Sequence, residues 1–243
     1  MTAVLMAVVG FFAGFALDEV IARFAREPFD REPDDAPAAA QPHRHALDLT
    51  SEVGTVALPW GLTGGAAYRR ATIIALTSLL FALAGLRYSG HAADLAIASA
   101  WLGVLLVCAA TDIIAYRVPN AVTYPAIAVA LAVGMVMPGG NRLDVAAGGL
   151  LAGGLFFVCA LLPGAPMGMG DVKLAFFIGF ALGLTLVIPA MLVMAVSGGV
   201  VAAVLLVLKL LGRRKLNYMF YAPFISLGAA VVILAQGTAT HLL

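Results

Sequence analysis

Long apolar segments alternate with short polar ones along most of this chain, and the pattern predicts helices that cross a membrane. Each apolar segment is close to the roughly 20 residues that a helical span requires. The first covers residues 1–26, and the others predict helices near 71–87, 93–111, 120–137, 145–163, 172–187, 189–211 and 222–237. Several prolines, which cannot donate a hydrogen bond inside a helix, fall at or near these boundaries: Pro119, Pro138, Pro163, Pro189 and Pro223. The sequence therefore predicts an all-α membrane protein with about eight transmembrane helices.

Residues 27–70 break this pattern. Four prolines punctuate a stretch of Asp, Glu, Ala and His that cannot bury enough apolar surface to fold alone. This predicts a partly disordered cytoplasmic loop. The predicted organisation is thus a first transmembrane helix at 1–26, the loop at 27–70, and a seven-helix membrane core at 71–243.

Basic residues predict the orientation, because Lys and Arg in short loops favour the cytoplasmic side. With the amino terminus outside, the outside set is only Arg87 and Arg142. The inside set holds the remaining basic residues: Arg23, Arg26, Arg31, Arg44, Arg69, Arg70, Arg117, Lys173, Lys209, Arg213, Arg214 and Lys215. Both termini are then predicted to lie outside.

Composition agrees with a membrane setting and excludes some partners. The chain is 63% hydrophobic and 11% charged, against roughly 25% charged in soluble domains. A formal net charge of +1 gives no basic surplus for nucleic acid, so membrane lipid is the predicted surrounding partner. Cys108 and Cys159 each lie alone in an apolar segment, which predicts no metal site.

Two acids fall on the same predicted side of the membrane. Asp112 lies at the inner end of the third helix and Asp171 at the start of the sixth. Two carboxyl groups that share a site cannot easily both ionise, so one can act as general base and the other as general acid on a single water. Such a pair could hydrolyse a peptide bond.

The residues around the two acids have predicted supporting roles. Gly168 and Gly170 can adopt backbone angles that other residues avoid and can let a substrate strand approach. Lys173 either acts on Asp171 electrostatically or extends to lipid phosphates. Pro119 and Asn120 shape the turn after the first acid.

Simpler interpretations compete with this one. Either acid alone could be a helix-terminal residue favoured by the helix dipole, as Asp94 and Asp144 could be on the other side. The pair could instead carry protons or cations in a membrane transporter, since acids within membranes often mark ion pathways. A third alternative is a non-catalytic assembly scaffold.

Three motifs resemble one family. Asp112 followed by Pro119-Asn120, the segment Gly168-Met169-Gly170-Asp171-Val172-Lys173-Leu174, and the segment Tyr221-Ala222-Pro223-Phe224 are similar to motifs of the type IV prepilin peptidases, which are GxGD aspartic proteases of the membrane. The resemblance implies that Asp112 and Asp171 are a catalytic pair facing the cytoplasm in a bacterial inner membrane. The implied substrates are type IV prepilins or pseudopilins, which are cut after a glycine at the end of a short basic leader.

The resemblance is incomplete near the amino terminus. Phe15 and Asp18 stand where the family usually has Ser and Asn, and the loop at 27–70 has no cysteine, whereas many bifunctional members carry paired zinc motifs there. No metal and no cofactor are therefore expected. S-adenosylmethionine would be needed only if the N-methyltransferase activity of those members is retained.

Overall fold

The structure is a computed structural model that describes residues 1–26, 65–115, 117–136, 141–162, 168–210 and 221–236. All regular structure in these residues is helical: α1 Thr2–Arg26, α2 Gly65–Arg87, α3 Ala92–Ala115, α4 Asn120–Val136, α5 Arg142–Leu161, α6 Met169–Leu210 and α7 Ala222–Ala235. Five of them (α1, α2, α3, α5 and α6) are long and apolar enough to cross a bilayer. The predicted all-α fold is confirmed for the described residues, with five candidate membrane-spanning helices. The count of eight spans and their orientation stay predictions.

Helix boundaries differ from the predicted ones at informative places. α2 begins at Gly65, before the predicted start at residue 71, and the arginines of its early turns, Arg69 and Arg70, pair with Asp18 of α1. α3 continues to Ala115, so Asp112 lies inside its last turn. Of the predicted loop at 27–70, residues 65–70 are helical, which corrects that part of the prediction, and residues 27–64 lie outside the described residues. Residues 163–167 and the basic cluster 213–215 also lie outside them.

α1 packs along α2, and a buried ion-pair cluster fixes their register. Gly10 and Gly14 of α1 approach the backbone of α2, and a Cβ on Gly14 would lie 2.7 Å from Cα of Ile74. Asp18 is fully buried, and its two carboxylate oxygens accept from Nε of Arg69 at 2.9 Å and of Arg70 at 3.0 Å. Removing a partner from such a pair would leave a buried charge uncompensated.

Small residues let α5 and α6 approach closely. A Cβ on Gly148 would overlap the backbone of Gly183, and one on Gly153 would overlap the ring of Phe176. Close approach through small residues is a general way for helices to associate in membranes. Gly148, Gly149 and Gly153 all lie in this close contact, whereas Gly154 has nothing within 4 Å of an added Cβ.

α6 contains 42 residues, about 63 Å if it were straight, which is twice the thickness of a bilayer core. Gly183 interrupts it with φ 73° and ψ 172°, in the left-handed region that favours glycine. The division between the two helices, predicted within the stretch from Gly183 to Pro189, therefore falls at Gly183, and Pro189 lies inside the second part.

The two parts of α6 run in opposite directions. Before the interruption, Phe176 and Gly179 pack against Gly153 and Gly148, so this part is antiparallel to α5. After it, the contacts of Ala190 with Gly228 and of Gly198 with Phe224 make the second part antiparallel to α7. The first part of α6 and α7 both begin beside Asp112. Because those two run in the same direction, the second part of α6 must return toward Asp112.

Polar contacts connect the helices at the end of the bundle that lies opposite Asp112. Tyr88, after α2, donates its hydroxyl to the carbonyl oxygen of Ile233 at 2.6 Å, and burial raises the pKa of Tyr88 to about 12. Asp144 Oδ1 accepts from the backbone N–H of Thr185 at 3.2 Å and from its hydroxyl at 2.8 Å. Asp144 thus supplies an acceptor to an N–H just after Gly183, where the helix is interrupted.

Candidate functional site

Asp112 lies in the last turn of α3 and is half-buried. Its carboxylate accepts a hydrogen bond from the backbone of Ala222, the first residue of α7. Its Oδ2 atom is buried and has no hydrogen-bond partner among the described residues. An unpaired buried carboxylate oxygen is costly, so this atom is poised to bind a proton or a water.

Asp171 lies in the first turn of α6 and is 8% exposed. The backbone of Gly168 hydrogen-bonds to its carboxylate, and the Asp171 N–H in turn donates to the Gly168 carbonyl at 3.1 Å. These two bonds hold the acid at the helix amino terminus, where the dipole favours negative charge.

The structure brings the two acids together at one end of the bundle, here called the acid end. Asp112 is close enough for its charge to act on Asp171. Both carboxyl groups lie beside apolar helices, and each has one backbone hydrogen-bonding partner from a neighbouring turn. A water between them would meet two groups able to accept and donate protons.

The two glycines of the turn have different surroundings. A Cβ on Gly170 would lie 3.0 Å from Cβ of Val118, whereas one on Gly168 would meet only the Gly170 nitrogen at 3.9 Å. Neither has a positive φ; among the described glycines only Gly90 and Gly183 do. The expectation of unusual backbone angles is therefore wrong for both. Gly170 instead allows the turn of the second acid to approach the chain that follows the first.

Lys173 joins the two acid-bearing segments. Its Nζ donates to Oδ1 of Asn120 at 2.8 Å and lies 4.8 Å from the centre of the Tyr124 ring. This placement differs from both predicted alternatives, since the ammonium binds the start of α4. The contact of Gly170 with Val118 and the bond from Lys173 to Asn120 together tie the start of α6 to the start of α4.

Pro119 and Asn120 form the start of α4, as predicted for the turn after the first acid. The Pro119 carbonyl accepts from the N–H groups of Val122 and Thr123, both at 3.1 Å, and also from the Thr123 hydroxyl. Proline has no N–H to lose, so it is well suited to this position before a helix. The direction of the chain leaving Asp112 is thereby fixed.

A pocket of about 180 Å³ lies between the end of α3 and the start of α4. It is bounded by the ends of α1 and α3, the connection that follows α3 and the start of α4: Phe24, Thr111, Ala115, Arg117, Pro119, Asn120 and Ala121. We call it the Arg117 pocket. Thr111 and Pro119 are buried, while Arg117 is half-buried.

Three features of this end were missed by the sequence reasoning. The hydrogen bond from Ala222 to Asp112 is made by the backbone, so no side chain in the sequence indicates it. Likewise, nothing in the sequence indicates that Phe24 bounds the Arg117 pocket. Asp18 did carry a signal, because an acid within an apolar helix needs a partner, and Arg69 and Arg70 were interpreted only as markers of orientation. Among the described residues, no three His, Cys, Asp or Glu side chains are grouped as metal ligands.

The described residues form helices, five of them long and apolar enough to cross a membrane, and two carboxyl groups from different helices lie at one end. Residues 99–203, which include both acids, match the model of the type IV leader peptidase family. The resemblance seen in the motifs is confirmed. The chain is also 31% identical over 163 residues to a prepilin leader peptidase/N-methyltransferase of Bacillus subtilis (strain 168), covering 65% of this chain and 63% of that protein. No solved structure matches the chain.

Proposed function

We propose that this protein is a membrane aspartic endopeptidase that removes the leader of type IV prepilins or pseudopilins, with Asp112 and Asp171 as its catalytic pair. The observation that carries the proposal is that the turn of Asp171 packs against the chain that follows Asp112, through Gly170 and Val118 and through Lys173 and Asn120, within the segment that matches the leader peptidase family. The relative from Bacillus subtilis is named for the same peptidase activity. Neither comparison supports the transporter alternative.

In the proposed reaction, one carboxylate takes a proton from a water as the water oxygen attacks the scissile carbonyl carbon. The protonated partner donates to the carbonyl oxygen, which gives a tetrahedral diol. Collapse of the diol breaks the C–N bond, and the leaving amine takes a proton from the acid pair. The two acids supply all proton transfers, so we propose that hydrolysis requires no metal and no cofactor.

We further propose that cleavage occurs at the cytoplasmic face of a bacterial inner membrane. The basic residues near the acid end support this side, because Arg69, Arg70 and Arg117 lie at the same end as the two acids. A prepilin would then enter with its hydrophobic helix in the lipid and its basic leader in the cytoplasm. Membrane lipid and the prepilin are the expected partners.

The direct test is mass spectrometry of a purified prepilin after incubation with this protein in detergent. The expected product is the prepilin without its leader, cut after a glycine at the start of the hydrophobic helix. An intact substrate, with proton flux through the protein in proteoliposomes, would contradict the peptidase and favour transport. The same spectrum reports whether a methyl group is present on the new amino terminus when S-adenosylmethionine is supplied.

Gly170→Ala is expected to lower peptidase activity more than Gly168→Ala. The added methyl at 170 would press on Val118 and displace the Asp171 turn, whereas there is open space at 168. Misplacement by about 1 Å near a reacting centre can cost on the order of 100-fold in rate. Initial cleavage rates of both variants, at equal folded protein, measure the difference, and equal rates would show that the Gly170 contact does not position Asp171.

A further inference from the structure

The Ser226 hydroxyl is buried inside the bundle and has no hydrogen-bond partner among the described residues. Ser226 lies in α7 and is 5% exposed. Hydroxyl groups within helices often bond to the carbonyl oxygen four residues earlier, as those of Thr77, Thr111 and Ser197 do in this protein. The Ser226 hydroxyl makes no such bond, so it can donate to a partner outside its own helix.

Ser226 belongs to the face of α7 that packs on α3. Gly228 faces the second part of α6, and Leu227 is exposed. Besides α6, the helix that α7 contacts most is α3. The remaining face of α7 is buried and consists of small and apolar residues around one hydroxyl: Ala222, Ser226, Ala229 and Ile233. This face therefore lies against α3.

Hydrogen bonds at both ends of α7 fix its direction relative to α3. Ala222, at the start of α7, bonds through its backbone to Asp112, near the end of α3. Ile233, near the end of α7, accepts from Tyr88, which precedes α3. The two helices are therefore antiparallel. Ser226 lies one turn, about 5 Å, deeper in the bundle than Ala222.

The side chains of Asp112 and Ser226 lean toward each other across this contact. In a helix the Cα–Cβ bond tilts toward the amino terminus, so each side chain covers the preceding turn. For Asp112 that direction leads deeper into the bundle, toward Cys108, which is close enough to be affected by its charge. For Ser226 it leads back toward Ala222 and the acid end. Two oxygens without partners, Oδ2 of Asp112 and Oγ of Ser226, thus approach each other from facing helices.

A single water suits the space between these two oxygens. They are not hydrogen-bonded directly to each other. A water that bonds to both would join oxygens roughly 5–6 Å apart, which is close to the rise of one helical turn. Buried waters in proteins typically bond to polar groups that otherwise lack partners. Donation from this water would stabilise the ionised carboxylate of Asp112 and hold it in one orientation.

We propose that Ser226 is a positioning residue for peptide hydrolysis and that it holds Oδ2 of Asp112 through one buried water. This inference rests on the proposed peptidase function. Ser226 acts through Asp112 and does not contact the substrate. Its hydroxyl keeps the Asp112 carboxylate oriented for proton exchange with the attacking water, whereas Asp171 is held by the backbone of Gly168 in its own turn.

The first test measures kcat and KM of prepilin cleavage by Ser226→Ala protein in detergent. We expect kcat to fall roughly 10- to 100-fold, the value of a hydrogen bond to a charged group, and KM to stay unchanged. In a protein that already carries Asp112→Asn, Ser226→Ala should cause little further loss, because the hydroxyl acts through that acid. The thermal unfolding midpoint should not fall, since the removed hydroxyl has no partner within the described chain.

Ser99→Ala is the matched control. Ser99 is 6% exposed, and its hydroxyl also lacks a partner among the described residues. It lies more than three turns before Asp112 in α3, roughly 20 Å along the helix axis. The same chemical change there should leave kcat and KM unchanged.

The second test observes Asp112 without any substrate. It uses infrared spectra of the purified protein in detergent, at an acidic pH where the carboxyl groups are protonated. The carboxyl C=O band of Asp112 is the band that disappears in Asp112→Asn. It should move to higher wavenumber in Ser226→Ala, because its oxygen loses a hydrogen bond, and should stay in place in Ser99→Ala.

Three outcomes would overturn the role of Ser226. These are an Asp112 band that does not move in Ser226→Ala, an equal fall of kcat in Ser99→Ala, and a fall of kcat that accompanies a lower unfolding midpoint. The last would make Ser226 a packing residue only. Failure of the peptidase proposal looks different, because the wild type would then cleave no prepilin although the Asp112 band still moves in Ser226→Ala.

Discussion

Asp112→Asn and Asp171→Asn are each expected to reduce prepilin cleavage by roughly 10²- to 10⁴-fold, the contribution of a positioned general acid or base. Asparagine keeps the size and an acceptor oxygen, so the backbone bonds from Ala222 and Gly168 can persist. It cannot exchange a proton with water in the reaction. Cleavage is measured as the rate of leader loss at equal amounts of folded protein.

The double variant sharpens this prediction. If the two acids act on one water, removing both should cost about as much as removing either, because groups that work as a unit are not additive. Asp94→Asn is the control, since it makes the same change in the first turn of α3, at the far end of the helix that carries Asp112. It should keep near wild-type activity. Retained cleavage in either single variant would refute the catalytic pair.

The acid pair could be predicted from sequence because it depends on the order of the helices. Asp112 ends a helix and Asp171 begins one, and the segments between them cross an even number of times in the predicted topology. An even number of crossings puts Asp112 and Asp171 on the same side of the membrane, however the helices pack. The residues that support the acids could not be predicted in this way. Ala222 acts through its backbone and Val118 through an apolar side chain, so neither has a functional group that marks it in the sequence.

The interruption of α6 shows a different limit. The sequence predicts the division within the stretch from Gly183 to Pro189, and the predicted helix bounds of 172–187 and 189–211 put it next to Pro189, which lacks the N–H that a helix interior uses. In the structure Pro189 is accommodated in the second part of α6, and the chain reverses at Gly183, which adopts a positive φ. Asp144, remote in sequence, accepts a hydrogen bond from the N–H of Thr185 just after this reversal. That partner depends on how α5 packs against α6, so it could not be predicted from the sequence.

The ion-pair cluster of Asp18 illustrates why single positions are hard to interpret without packing. The same Arg69 and Arg70 that indicate a cytoplasmic end also compensate a buried acid on another helix. Both interpretations follow from the cost of charge near a membrane interior. The sequence contains the charges, but the pairing depends on the angle at which α1 and α2 cross.

Gly179→Ala is expected to destabilise the protein by about 1–3 kcal/mol, the usual cost of overpacking a tight interior. An added methyl would overlap the Gly148 carbonyl oxygen and lie 2.7 Å from Cα of Gly149. These are backbone atoms, so no side-chain rotation relieves the contact and α5 must move away from α6. The measurement is the thermal unfolding midpoint of the purified protein in detergent.

Gly154→Ala is the matched control for this contact. It makes the same change in the same pair of glycine-rich helices, but nothing lies within 4 Å of the added Cβ. Alanine also favours a helix over glycine, so its midpoint should be unchanged or slightly higher. Equal losses in the two variants would contradict the proposed close packing. Since the first part of α6 carries Asp171, Gly179→Ala should also lose peptidase activity at a temperature where Gly154→Ala remains active.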